Sequence, residues 1–82
     1  MPTVRVPNAT SVQFTGGVAE LEVEASTFGR LIVELERRFP GIGKQIEDGM
    51  AVAIDGEIYQ DCYAAPLRAE SEIVLIPKIG GG

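Results

Sequence analysis

Apolar and polar positions alternate from the start of the chain. Thr3-Val4-Arg5-Val6 puts Val4 and Val6 on one face, which predicts a short strand ended by Pro7. Asn8 to Ser11 is polar and turn-like, Val12-Gln13-Phe14 extends or covers an edge of the core, and Gly16-Gly17 signals a turn. From Ala19 to Ala25 the alternation is clean. Leu21, Val23 and Ala25 share one face, while Glu20, Glu22 and Glu24 share the other, as expected of a half-buried antiparallel strand. The period then changes. Phe28, Leu31, Ile32, Leu35 and Phe39 form the stripe of an amphipathic helix, with an N-cap hydroxyl from Ser26 or Thr27 and a stop at Pro40-Gly41. Arg37 and Arg38 suit the last turn of that helix, and the spacing of Glu34 and Arg38 suits an ion pair. Gly29 costs roughly 1 kcal/mol relative to alanine inside a helix, and close approach to a sheet would account for it. Gly43 to Glu47 allows at most one helical turn. Met50 to Ile54 reads as a strand, Asp55-Gly56 as a type I′ hairpin turn, Glu57 to Tyr59 as the returning strand, and Tyr63 to Arg68 as a loop. Glu72 to Pro77 is apolar on both faces, as a central strand would be.

This order is strand, strand, long helix, strand, short strand, strand. The first two strands form a hairpin, the helix crosses the sheet, and the last strand pairs in parallel beside the first. The expected fold class is α+β: a mixed sheet of about four to five strands with one main helix packed across one face. Residues 1–79 form the domain and residues 80–82 a flexible glycine tail. A chain of 82 residues supports one core, which removes a little over ~60% of the unfolded surface from water.

Composition narrows the chemistry. A single cysteine, Cys62, and no histidine exclude an intramolecular disulfide, a four-thiolate cluster and the commonest general base. Cys62 has no neighbouring lysine or histidine in sequence to lower its pKa, so a packed or ordinary surface thiol is expected. The glutamates of the alternating strand project to solvent without converging ligands, and no metal site is expected. Twelve acids against seven bases give a net charge of −5, which disfavours nucleic acid and suits a basic groove on a protein partner. No stretch approaches a membrane span and no charged start leads into an apolar run, so a cytoplasmic protein is expected.

The last strand leads into Lys78-Ile79-Gly80-Gly81-Gly82. Three glycines cannot pack a core and are entropically costly to order. Taken with the helix that ends in Phe39-Pro40-Gly41, the hairpin Ala51-Val52-Ala53-Ile54-Asp55-Gly56, and Pro66-Leu67 followed by Glu72-Ile73-Val74-Leu75-Ile76-Pro77, this ending resembles the MoaD/ThiS family of sulfur carrier proteins. The resemblance covers the chain from about Val18 onward, and within the family the chain looks most like the small subunit of molybdopterin synthase. It implies the β-grasp, or ubiquitin-like, fold. The chain departs from the family pattern at Lys78, where a second proline is usual, and at Ala69-Glu70-Ser71, where a glycine is usual. Pro7 to Gly17 matches nothing in the pattern.

The resemblance also implies a chemistry. A C-terminal carboxylate, with a pKa near ~3.5, is ionised and resists nucleophilic attack. The family answer is a ubiquitin-activating-type adenylating enzyme that uses ATP and magnesium to make an acyl-adenylate on Gly82. A thiocarboxylate follows, and its sulfur passes to a synthase such as the molybdopterin synthase large subunit or an equivalent for thiamine or cysteine. Gly80 and Gly81 would then be the thin stem that threads an enclosed site, and Pro77, Lys78 and Ile79 would dock and aim it. Six residues from Pro77 reach about 20 Å. The chain itself would be a co-substrate without a bound cofactor, not a catalyst. Two other functions fit the same tail: a ubiquitin-like modifier joined through Gly82, and a β-grasp interaction module whose tail is inert.

Overall fold

The computed structural model describes residues 1–59 and 63–77. Its five strands are β1 (Thr3–Arg5), β2 (Glu20–Glu22), β3 (Met50–Ile54), β4 (Glu57–Tyr59) and β5 (Glu72–Pro77), in the spatial order β2-β1-β5-β3-β4. The strand apolar on both faces is indeed central. β5 runs parallel to β1 and antiparallel to β3, with Ile73 opposite both Val4 and Ile54. β2 returns along β1, pairing Val4 with Leu21. It is shorter than the alternation predicts, although the Val23 N–H still donates to the Pro2 carbonyl at 3.0 Å.

The long helix, α2 (Phe28–Arg38), buries Phe28, Leu31 and Leu35 against Val4, Ile73, Leu75, Val52 and Ile54 in one core. Each such side chain contributes about 1.5–3 kcal/mol when fully withdrawn from water. Thr27 caps the helix, its hydroxyl oxygen accepting the Arg30 N–H at 3.2 Å. The expected Glu34–Arg38 pair does not form. Glu34 meets Arg37 at 3.0 Å instead, and Arg38 donates to the Glu22 carbonyl at 3.1 Å, tying the helix to β2.

Two segments are more regular than the sequence suggests. The polar stretch after Pro7 is helical, not a simple turn: α1 (Asn8–Thr10) runs on into a π turn over Ser11–Thr15, closed by Gly16 at φ +67°. Gly43–Glu47 belongs to a helix of eight residues, α3 (Ile42–Gly49), rather than to a single turn. Ile42 and Ile46 of α3 are buried in the common core. Its first donors are met by an acid from the preceding helix. Glu36 accepts the Gly41 N–H at 2.8 Å and the Gly43 N–H at 2.9 Å. A cap supplied from seven positions back leaves no local sequence signature.

Candidate functional site

The last described residues lie at the end of β5, and their surroundings are set by register. β1 reaches only as far as Val74. Beyond it, Leu75, Ile76 and Pro77 are held by β3 alone, opposite Val52, Ala51 and Met50. Pro77, the last residue of β5, has no N–H to offer a ladder. Pro77 is exposed at this rim. Lys78, Ile79, Gly80, Gly81 and Gly82 lie outside the described residues, as does Cys62.

The opposite end of β5 is clamped. The Asp55 carboxylate accepts the Glu72 N–H at 2.9 Å and the Ser71 hydroxyl at 3.1 Å, with the Arg68 guanidinium at 3.4 Å. In return the Asp55 N–H donates to the Glu72 carbonyl at 2.9 Å. Asp55 sits at φ +50° and Gly56 at φ +87°, as the two-residue hairpin turn requires. The turn residue thus has a second task, fixing where the tail-bearing strand starts. The Glu72 N–H holds the Asp55 carboxyl below the ordinary aspartate range, against some desolvation, with further help from Ser71 and Arg68. The N–H groups of Gly41 and then Gly43 likewise hold Glu36 below the usual glutamate range. Both carboxylates are structural.

The second element is the sheet face turned away from the helices. Strand alternation sends Val4, Ile73, Leu75, Val52 and Ile54 into the core, so their neighbours in sequence face outward. Ile58, Ala53 and Val74 then stand side by side across β4, β3 and β5, with Ala51 beside Ile76 one pair nearer the tail. Ile58 is 70% exposed, and Ala51, Val74 and Ile76 are half-buried. The stripe is bordered on the β1 side by Arg5 and Glu20, paired at 3.4 Å. It was legible only indirectly: a strand apolar on both faces but covered by helices on one must leave the other face apolar and open.

Glu20 and Glu22 lie on this open side of β2, and both are exposed. Among the described residues no cluster of three or more acids, cysteines or histidines is placed to hold a metal ion. No helix among them is long and apolar enough to cross a membrane.

Comparison with known proteins places this geometry. A family model described as the ThiS family matches residues 7–82. That span takes in Pro7 to Gly17, which the sequence pattern left unplaced. Among solved structures, a chain of the Amycolatopsis orientalis BexX/CysO complex is similar over 100% of both chains, with a TM-score of 0.86 at 21% identity. Mycobacterium tuberculosis CysO, described as an antigen, is similar over 96% of this chain and 100% of its own, with a TM-score of 0.85 at 19% identity. SAMP1 from Haloferax volcanii is similar over 99% of this chain and 98% of its own, at 0.72 and 17%. A search of proteins with curated functions finds no match. The fold is the β-grasp expected from the strand order, with β5 central.

Proposed function

Since this chain belongs to the ThiS family, small sulfur carriers that are not themselves catalysts, we propose that its working group is the carboxylate of Gly82. A ubiquitin-activating-type enzyme transfers AMP from magnesium-bound ATP to that carboxylate and releases pyrophosphate. A sulfide donor then attacks the acyl carbon, AMP leaves with one carboxylate oxygen, and a thiocarboxylate remains on Gly82. An acceptor synthase takes the sulfur, and water restores the carboxylate. The observation that carries this reading is the family match running to residue 82, across a rigid central strand that ends at Pro77 in front of three glycines.

The protein's own contribution is positional. Gly80 and Gly81 present no Cβ to the walls of an enclosed site. Pro77, Lys78 and Ile79 direct the tail. Ordering the tail costs entropy, which apolar contact at the open sheet face around Ile58, Val74 and Ile76 offsets. The occupant of that face is the activating enzyme, and an acceptor synthase takes its place later. That a structural neighbour was crystallised as the BexX/CysO complex supports work through a protein partner. The acceptor we put first is the molybdopterin synthase large subunit, ahead of thiamine and cysteine synthesis.

The test is intact mass after incubation with the adenylating enzyme, magnesium-ATP and a sulfide source. The expected product shows an oxygen-for-sulfur gain located at Gly82. Recovery of unmodified protein from every such enzyme of the source organism would refute the reading. Supplying the thiocarboxylate form to each candidate synthase then identifies the pathway by which acceptor consumes it.

A further inference from the structure

The segment from Pro7 to Gly17 has no task in the reading above, and its polarity is inverted. Thr10, Ser11 and Thr15 are buried, whereas Val12 is 69% exposed and Val18, just beyond, is exposed too. The turn is built rather than frayed. The Ser11 hydroxyl donates to the Asn8 carbonyl at 2.8 Å, and the Thr15 hydroxyl lies 2.6 Å from the Val18 carbonyl and 3.1 Å from that of Ser11. The Gly17 N–H donates to the Ser11 carbonyl at 2.8 Å. Phe14 lies against the α2–α3 corner, where a Cβ on Gly41 would stand 3.2 Å from its ring. Local hydroxyl bonds therefore fix a backbone path that holds Val12 in water.

Topology places this segment near the end of β5. β1 and β5 are parallel, so both finish at the same edge of the sheet. β1 stops opposite Val74, three positions short of Pro77, and Pro7 turns the chain into α1 at that level. Lys78 to Gly82 are five residues, about 17 Å when fully extended. An enzyme that encloses the carboxylate of Gly82 must therefore bring its own surface close to the edge where Pro77 and α1 lie. Adenylation makes the strictest demand on depth, because the acyl-phosphate must be shielded from water.

We propose that α1 and its π turn form a rigid shoulder that packs on the activating enzyme while the tail is inserted, with Val12 and Val18 as its apolar contacts. The proposal rests on the carrier reading. It predicts that this shoulder, and not the helical layer, limits how well the enzyme holds its carrier.

The experiment compares Val12→Asp, Val12→Ser and Val33→Asp with the parent protein. Val33 is also exposed, on the outer side of α2 beside the groove between α2 and α3. The readout is pyrophosphate release against carrier concentration, with magnesium-ATP and the adenylating enzyme. Val12→Asp should raise KM by about tenfold with little change in kcat, and Val12→Ser by less. Val33→Asp should leave both constants unchanged, and all three variants should unfold at the parent's temperature. A KM for Val12→Asp equal to the parent's overturns the shoulder while the carrier reading stands, as does an equal rise for Val33→Asp. A loss seen only when the acceptor synthase takes the sulfur also overturns it. Absence of pyrophosphate release from the parent protein overturns both.

Discussion

The Gly29 N–H donates to the Tyr63 carbonyl at 2.9 Å, and a Cβ built on Gly29 would stand 2.9 Å from that same oxygen. The glycine in the first turn of α2 is thus explained by the loop before β5, not by the sheet as the sequence suggests. The contact is one of a set. Phe28 N–H donates to Ala65, Leu67 N–H donates to Ser26, and Thr27 bridges Pro66. The bonds from Phe28 and Gly29 meet donors that the start of a helix leaves unpaired.

Gly29→Ala should therefore destabilise, despite the better helix propensity of alanine. The obstructing atom is backbone, so relief requires the loop to move, and overpacking of this kind costs about 1–3 kcal/mol. For a domain of this size Tm should fall by about 5–20 °C. Gly49→Ala, at the end of α3 with nothing within 4 Å of the new methyl, should instead hold or raise Tm. Thermal denaturation of the two variants side by side checks both signs.

Acid should loosen the fold through Glu36 and Asp55. Both carboxyls titrate lower in the folded protein than their ordinary values of 4.5 and 3.8. A depressed folded pKa contributes stability that is complete above the unfolded value and is lost as pH falls towards the folded one. Denaturant midpoints should be flat near neutrality and decline below about pH 5. The double variant Glu36→Gln, Asp55→Asn should be less stable at pH 7 and show a shallower decline. An undiminished slope in that variant would assign the acid sensitivity elsewhere.

Ile58→Asp removes the most exposed apolar side chain of the open sheet face. It should leave Tm within a few degrees of the parent, since an exposed site contributes about 0.5 kcal/mol or less. Binding to the adenylating enzyme should weaken by about tenfold or more, measured by calorimetry, as for the centre of an interface. Glu24→Lys, off this stripe, serves as the charge control.

A single alanine added after Gly82 should abolish adenylation and leave the far-ultraviolet circular dichroism and Tm unchanged. The extension moves the carboxylate beyond the reacting position and places a Cβ where the stem must be bare. Continued adenylation at the parent's rate would remove Gly82 from its proposed role.

Features that depend on neighbours along the chain could be read from the residues alone. The α2 stripe from Phe28 to Phe39, a capping hydroxyl at Ser26 or Thr27 and the Asp55-Gly56 turn are local demands of period, capping and positive φ. The alternation of Leu21 and Val23 with glutamates, and the doubly apolar run from Ile73 to Ile76, were enough to identify a half-buried strand and a central one. The tail's composition and the motifs before it pointed to the family. Tertiary structure decided what depends on partners distant in sequence. Glu36, on the preceding helix, meets the first donors of α3, and Tyr63 crowds the position of Gly29. Asp55 was legible as a turn residue, but only folding brings Arg68, Ser71 and Glu72 to its carboxylate. Register decided the rest: it joins Ile58, Ala53 and Val74 across three strands and sets α1 at the edge where β5 ends. Local propensity reports on contacts within a turn or two of helix. Hydrogen bonds and apolar faces assembled across the sheet exist only once the chain has closed on itself.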